Sequence, residues 1–308
     1  MYELFLGLRY LKAKRKQRFI SVITIISVLG VMVGVMALVV VLSVMNGFRS
    51  DLMGKILGVN SHVLVLNLSG TFGGYRQVAE KVEKMDGVVA VAPFVYTQVM
   101  LNHAGRVSGA VLRGVDPEIA GRVVNFDKMI KEGSLSSLNE TKKGMPGIII
   151  GSELSKQIGA SIGSLVTVIS PEGKLTPLGR TPNTQKFKVT AVFDSGMYEY
   201  DASMVYISLG EAQGFLALGN QVTGLEVKVT EVYQSDVIAG KIQKKLGYPY
   251  WTKDWKLMNR SISKLPVQVS VSDVSIVAGA AVVISFLATL YPAWYASRLN
   301  PVESFRYE

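Results

Sequence analysis

The sequence contains no cysteine, only two histidines and few charged residues. The missing cysteines exclude disulfide frameworks, Cys-ligated zinc, iron–sulfur clusters and thiol nucleophiles, and they leave the redox compartment open. Only 18% of the 308 residues are charged, 49% are hydrophobic, and the mean hydropathy is +0.31. This composition is too apolar for an ordinary soluble protein and indicates a membrane protein with a sizeable part in water.

Catalytic and metal-binding motifs are also missing. His62 and His103 have neither a second histidine nor a carboxylate at ligand spacing, and no G-x-S-x-G, H-E-x-x-H or P-loop pattern occurs. Asp194, Glu199 and Asp201 form an acidic cluster that could hold a cation, but a solvated loop is the favoured interpretation. The sequence therefore predicts no catalytic residue, no metal site and no cofactor in this chain.

Positive charge is concentrated near the N-terminus. The net charge is +10, and six of the first 18 residues are basic: Arg9, Lys12, Lys14, Arg15, Lys16 and Arg18. A basic cluster directly before an apolar run fits the positive-inside rule and contact with anionic lipid head groups. Nucleic acid is not expected as a partner, because the basic residues are not interleaved with base-stacking aromatics.

Two apolar segments are long enough to cross a bilayer. Residues 19–48 form an uncharged run of 30, and residues 274–297 form a second run of 24 that ends in an aromatic cluster before Arg298. These flanks predict two uncleaved transmembrane helices with both termini in the cytoplasm. The expected organisation is a basic segment at 1–18, helices at 19–48 and 274–297, an extramembrane domain at 49–273 and a cytoplasmic tail at 298–308.

Short strands and helices alternate in the extramembrane residues. Strands are predicted at 61–68, 88–101, 107–115, 148–150, 165–169, 187–193, 204–207 and 225–229, and helices at 75–85, 152–158, 209–218 and 233–246. Because no regular βαβ repeat occurs, the predicted fold class is an α+β membrane protein in which two transmembrane helices flank a large mixed α/β domain of two subdomains.

A proline-rich loop is predicted at 170–186, between two of these strands. Pro171, Pro177 and Pro182 fix φ and remove backbone donors, so the loop can project stiffly and resist pairing along its edge. A stiff arm loses little entropy when it binds a partner. The composition is equally compatible with a docking arm and with a merely flexible hairpin.

Several motifs closely resemble the permease subunits of the lipoprotein-releasing ABC transporter of Gram-negative bacteria, the LolC/LolE family of the MacB/FtsX-like superfamily. They are LRY at 8–10, GVMALVVVLSVMNGF at 34–48, ILG at 56–58, VAVAP at 89–93, RGVDP at 113–117, IIGSEL at 149–154 and LYPAWYASRLNPVESFRYE at 290–308. The TPLGRTP stretch at 176–182 resembles the LolC hook, whereas SGM at 195–197 and KLP at 264–266 resemble LolE. This mixture is similar to the merged permease LolF.

The resemblance implies a multi-pass protein of the bacterial inner membrane with a large periplasmic domain and both termini in the cytoplasm. It would release outer-membrane lipoproteins to a LolA-like periplasmic carrier and pair with a second permease copy or paralogue. It would not be an enzyme, because a separate LolD-like cytoplasmic ABC ATPase would hold ATP and Mg. The implied carrier-binding hook is Thr176, Pro177, Leu178, Gly179, Arg180 and Pro182. The implied cavity for acylated lipoproteins is lined by Ala37, Val40, Val44, Met45 and Phe48.

The chain departs from the family pattern in one respect. Family members have four spans, and a cytoplasmic coupling helix between the second and third docks on the ATPase. Here the segment 251–261, which normally precedes the second span, runs directly into 262–271, which normally precedes the fourth. An internally deleted, inactive permease therefore stays an alternative, as do another MacB/FtsX-like permease for export or cell-wall hydrolase signalling and a membrane-anchored periplasmic enzyme using the acidic cluster.

Overall fold

A computed structural model describes residues 18–139, 144–176 and 179–259, together with the single positions 279, 283, 286, 290 and 294. The chain divides into two units. One consists of Met1–Ser50 and Pro266–Glu308, and the other is Asp51–Leu265.

Helix α1 (Arg18–Val59) is continuous over 42 residues. Its window Val28–Met45 has a mean hydropathy of 2.8, and it is the only helix in the described part of the chain that is long and apolar enough to cross a membrane. This finding agrees with the first predicted span. The second predicted span, 274–297, lies outside the described residues apart from five positions, which are helical. The count of two spans therefore stays a prediction.

Strands and helices alternate along the larger unit. The strands are β1 (Val63–Asn67), β2 (Val88–His103), β3 (Arg106–Val115), β4 (Ile130–Glu132), β5 (Gly147–Gly151), β6 (Leu165–Thr176), β7 (Gly179–Phe193), β8 (Met204–Ser208), β9 (Gly224–Val229) and β10 (Tyr250–Asp254). The helices are α2 (Tyr75–Glu83), α3 (Pro117–Val123), α4 (Phe126–Met129), α5 (Ser152–Ile158), α6 (Tyr198–Asp201), α7 (Leu209–Phe215), α8 (Ser235–Leu246) and α9 (Trp255–Met258), with short 3₁₀ turns at Leu135–Asn139 and Val232–Gln234.

The ten described strands form one mixed sheet in the order β10-β1-β9-β2-β3-β8-β5-β7-β4, and β6 pairs with β2 and β7. Alternate residues of each strand point to opposite faces, so the sheet carries one hydrophobic cluster on each face. The expected two subdomains are not seen as separate units: Asp51–Leu265 forms a single unit. The physical reason is that this one sheet extends through the whole region.

The eight predicted strands and four predicted helices are all present, with shifted ends. The structure adds β4, β10, α3, α4, α6 and α9, which were not predicted. Helix α3 had a readable signal, because Asp116 is its N-cap and accepts a hydrogen bond from the Glu118 backbone N–H, with Pro117 at the first helical position.

The region 170–186 differs from the predicted loop, because most of it continues the β6–β7 hairpin. The ladder reaches the pair Thr176↔Gly179, and its register shifts between the pairs Ser170↔Asn183 and Lys174↔Thr181. Pro171 lies on one strand within this irregularity and Pro182 on the other. A proline lacks the N–H that a regular ladder needs, so strands tolerate it at a bulge. The prolines thus shape the hairpin without ending it.

A side chain covers the outer edge of β10, whose described strand partner is β1. The Gln243 side chain on α8 accepts a hydrogen bond from the Thr252 backbone N–H at 2.6 Å and donates one to the Tyr250 carbonyl at 3.1 Å. One amide thus takes the place of a neighbouring strand at this edge. Exposed edges invite pairing with other chains, so Gln243 protects the sheet from such pairing.

Candidate functional site

The implied carrier-binding residues lie at the end of the β6–β7 hairpin, which we call the arm (170–183). Thr176 and Gly179 form the last described pair of the ladder, and Arg180 is opposite Leu175. Pro182 lies in the bulge and is exposed. Pro177 and Leu178 lie outside the described residues, so their role as the tip stays a prediction.

The root of the arm is held by the core of the sheet. Val168 on β6 and Phe187 on β7 are fully buried, and β6 also pairs with β2 up to Ile169. On β7, Asn183 donates a hydrogen bond to the Phe215 carbonyl, and Gln185 donates one to Glu211 Oε2 at 3.1 Å. From Ser170 to Thr176 the described pairing of β6 is with β7 alone, a ribbon of about 20 Å at the usual rise per strand residue.

Four of the five implied acyl-cavity residues share one face of α1. Ala37, Val40, Val44 and Phe48 recur every three or four residues, whereas Met45 lies about 100° around the helix from Val44. The side chains of Val40, Val44 and Phe48 are 54%, 64% and 54% exposed. An exposed apolar stripe on a membrane-length helix suits either lipid or hydrocarbon cargo, so the geometry is compatible with the implied cavity without testing it.

The acidic cluster is divided between a loop, which holds Asp194, and helix α6, which holds Glu199 and Asp201. Asp201 is buried and accepts hydrogen bonds from the Ser195 backbone N–H and hydroxyl at 2.7 and 2.8 Å. Asp194 pairs with Lys131 and accepts a bond from the Gly196 N–H. Burial raises the pKa of Asp201, whereas the hydrogen bond from Lys131 lowers the pKa of Asp194. Within the described residues, no group of three or more His, Asp or Glu side chains could hold a metal ion.

A pocket of about 610 Å³ lies on the α3–α4 face of the sheet, at a place that the sequence analysis did not single out. Its floor contains Arg113 from β3 and Glu226 from β9, and β2 lies between these two strands. Phe94, Tyr96 and Trp251 form aromatic walls. This volume lies within the usual range for sites that bind small or extended ligands.

Arg113 and Glu226 form a buried ion pair across β2. Arg113 is 6% exposed and Glu226 is 2% exposed. The Arg113 Nη2 donates to Glu226 Oε1, while its Nε has no hydrogen-bond partner among the described residues. Burial alone would lower the pKa of Arg113, but the attraction and hydrogen bond of Glu226, together with Tyr206 and Tyr200, raise it. The pair therefore lies in a largely desolvated place.

Aromatic rings fix the position of the guanidinium. The Arg113 Cζ lies 5.7 Å from the Phe94 ring centroid and 6.0 Å from that of Tyr206, so the cation is attracted by two π-faces. Tyr206 is fully buried, and this burial raises its pKa to about 12. Its ring packs edge-on against Phe126 and Phe193. The charged floor is thus supported from below by a rigid aromatic cluster.

A glycine makes room for this arrangement. Gly224 on β9 lies directly opposite Phe94, and a Cβ at Gly224 would come within 2.7 Å of the Phe94 ring and 2.8 Å of the Val65 carbonyl oxygen. These distances are far below ordinary contact. Phe94 can therefore occupy its place beneath Arg113 only because residue 224 has no side chain.

The pocket rim is polar and its charges balance. Lys253 and Glu199 add one charge of each sign to the pair on the floor, and Asn60 donates a 2.7 Å hydrogen bond to the Tyr200 hydroxyl. Asn60 directly follows α1. A usable sequence signal existed: Arg113 is the one charge in the apolar stretch VLRGV, and Glu226 shares the otherwise apolar strand GLEVKV with Lys228.

Helix α1 and the mixed sheet define the class, which is a membrane protein that carries a large α/β domain. The model of the MacB-like periplasmic core domain family matches residues 24–245, more than half of the chain. The chain belongs to this family, and its α/β domain is accordingly a periplasmic domain. The family expected from the sequence motifs is confirmed.

Several named proteins are similar to this chain. The lipoprotein-releasing system transmembrane protein LolC of Neisseria meningitidis serogroup B is 35% identical over 263 residues, which are 84% of this chain and 62% of that protein. LolE of Haemophilus influenzae is 24% identical over 75% of this chain and 56% of its own length. The periplasmic region of MacB from Actinobacillus actinomycetemcomitans matches 68% of this chain and 95% of its own at 13% identity, with a TM-score of 0.42. The chain spans about three fifths of the length of the LolC proteins that it matches first.

Proposed function

We propose that this protein is a permease subunit of an ABC transporter that releases outer-membrane lipoproteins from the inner membrane to a periplasmic carrier. The observation that carries the proposal is the 35% identity to a LolC protein over 84% of the chain. That relative is named as part of a lipoprotein-releasing system, and the match covers most of this chain.

The arm supports a carrier-binding role. Its two strands stay paired to Thr176↔Gly179, and its root is fixed in the core through Val168 and Phe187. A preformed hairpin loses little conformational entropy when it meets a partner. We therefore assign the binding of a LolA-like carrier to Thr176, Pro177, Leu178, Gly179, Arg180 and Pro182.

The remaining roles follow from the same proposal. The exposed face of α1 with Ala37, Val40, Val44 and Phe48, together with Met45, would contact acyl chains beside a second permease copy or paralogue. A LolD-like ATPase in the cytoplasm would hydrolyse ATP, so this chain would not itself be an enzyme. Both termini would lie in the cytoplasm, and the protein would be multi-pass in the inner membrane.

A second candidate is another mechanotransmission permease of the same superfamily. The match to a family named after MacB favours it, because that name is not specific to the Lol proteins. Such a permease would bind an adaptor or a cell-wall hydrolase partner instead of a lipoprotein carrier. The chain length of about three fifths of its LolC relatives also keeps an inactive, internally deleted permease as an alternative.

The test is carrier binding by the full chain in detergent micelles, measured by biolayer interferometry with a purified LolA-like carrier. Pro177→Gly is expected to weaken binding at least tenfold, which is about 1.4 kcal/mol, because glycine frees the backbone that proline restricts. Pro117→Gly, which makes the same exchange at the start of α3, is the matched control and is expected to bind like the wild type.

Equal binding by the wild type, Pro177→Gly and Pro117→Gly would remove the arm from the proposal. No saturable binding of the carrier by the wild type, together with crosslinking to an adaptor protein in cells, would replace lipoprotein release by the second candidate.

A further inference from the structure

The pocket above Arg113 and Glu226 is not used by the proposed carrier binding. Its described lining comes from β1, β2, β3, β8, β9, β10, the short helices α6 and α9 and adjoining turns, and none of it from the arm strands β6 and β7. It combines a concave shape, aromatic walls and two buried charges. A perturbed, buried ionic group at the floor of a pocket is a common mark of a functional site.

Stability does not explain the ion pair. Removing two charges from water costs several kcal/mol per ion, and apolar residues of similar volume often serve a core equally well or better. The surroundings of Arg113 include the aromatic rings of Phe94 and Tyr206, which apolar side chains can also contact. A pair that contributes little to folding, and that faces an open pocket, is better explained by a ligand.

The charge balance limits what this ligand can be. An anion would face Glu226 and Glu199, and a cation would face Arg113 and Lys253. A hydrocarbon chain would offer the buried pair no hydrogen bonds, which is unfavourable. The ligand that suits the floor is uncharged and carries a donor and an acceptor side by side.

A peptide group meets this description. Its carbonyl oxygen can accept from the Arg113 guanidinium while a neighbouring N–H donates to the Glu226 carboxylate. Aromatic walls at Phe94, Tyr96 and Trp251 suit the side chains of an extended segment, since aromatic residues supply large contact area in recognition sites. We propose that this pocket binds an uncharged, extended segment of polypeptide, with Arg113 and Glu226 as its main-chain recognition pair.

The proposal is independent of lipoprotein release, because the pocket would recognise a peptide whichever transporter the chain serves. The probe is a pool of fluorescein-labelled decapeptides with blocked termini, built from Ala, Ser, Asn, Leu and Tyr. Binding to the full chain in detergent micelles is measured by fluorescence polarisation. Saturable binding in the micromolar range is expected.

The deciding variant is the double substitution Arg113→Met with Glu226→Leu, which removes both charges and leaves no buried ion unpaired. Peptide binding is expected to fall at least tenfold while the melting temperature stays within a few degrees of the wild type. The matched control makes the same substitutions at an exposed ion pair, Arg122→Met with Glu83→Leu, whose side chains are 58% and 41% exposed. This control is expected to bind the pool normally.

A third variant guards against an indirect effect on folding. Tyr96 is 49% exposed at the pocket wall, so Tyr96→Ala is expected to leave stability nearly unchanged and to weaken peptide binding several-fold. Carrier binding by the arm is measured on all variants and is expected to be unaffected by the pocket substitutions. Failure of this proposal is thereby distinguished from failure of the proposed function.

Two results would overturn the inference. The first is equal binding of the peptide pool by the wild type and the pocket double variant. The second is that sodium laurate binds stoichiometrically while no peptide binds. This result would identify a hydrocarbon site instead.

Discussion

Removing only one member of the buried pair is predicted to destabilise the periplasmic domain strongly. In Arg113→Met, the carboxylate of Glu226 stays 2% exposed and loses its charged partner. Breaking a buried pair from one side typically costs about 3–5 kcal/mol. The same reasoning applies to Glu226→Leu, which leaves the guanidinium of Arg113 without its carboxylate.

The double variant is predicted to recover most of this loss. With both charges gone, the desolvation penalty disappears, so the double variant is expected to be about as stable as the wild type. For a domain of this size, 1 kcal/mol shifts the melting temperature by about 2–4 °C, so each single variant is expected to melt about 6–20 °C lower.

Thermal unfolding of the four forms in detergent, followed by circular dichroism, completes a double-mutant cycle. The sign of the coupling is the decisive observation: two costly single substitutions and a nearly neutral double one. If each single variant melted within 2 °C of the wild type, the pair would be hydrated in solution, and the argument that it serves recognition would fail.

Three further predictions concern the sheet and one buried histidine. Gln243→Ala uncovers the N–H of Thr252 at the edge of β10 and is expected to make the full chain self-associate in analytical ultracentrifugation. Gly224→Ala drives a Cβ into Phe94 and is expected to lower the unfolding free energy by about 1–3 kcal/mol in denaturant titrations. Burial lowers the pKa of His62 below 6.5, so the unfolded state binds the proton more tightly than the folded state. The unfolding free energy should therefore be highest above pH 6.5 and fall as the pH drops from there towards the folded-state pKa. His62→Gln should remove this pH dependence from melting curves.

Each of these has a control on the same chain. Lys244→Ala lies on the same helix as Gln243 and is exposed, so it should leave the protein unassociated. Gly210→Ala places a Cβ where nothing lies within 4 Å, and it should be neutral or slightly stabilising. The edge explanation fails if Lys244→Ala self-associates as Gln243→Ala does. The glycine explanation fails if Gly224→Ala and Gly210→Ala lose equal unfolding free energy, and the histidine explanation fails if the pH dependence is the same with and without His62.

Local patterns predicted most of the fold. The alternation in SHVLVLNL gives β1, and the spacing of Val78 and Val82 gives α2, because burial of one face is written into nearby residues. Strand β10 (YWTKD) was missed, since it is short, polar and placed by its partner β1. The prolines of the arm predicted a loop, whereas the structure accommodates Pro171 and Pro182 in a bulge. This bulge depends on the register of two strands, which the local sequence does not reveal.

The pocket could not be predicted from such patterns. Arg113 and Glu226 are separated by 113 positions, and neither residue alone indicates the other as its partner. They meet because only one strand, β2, lies between β3 and β9, and their side chains reach across it. This strand order is a property of the whole topology. The same holds for Trp251 and Asn60, which reach the pocket from opposite ends of the domain sequence.

The sequence distance across the ion pair also fixes when the pocket comes into existence. Synthesis must pass β9 before Glu226 can meet Arg113, and it must pass β10 before Trp251 completes the wall. A domain that ends before these strands lacks part of the described pocket lining. The pocket that we propose to bind peptides would therefore be complete only after nearly all of the periplasmic region has been synthesised.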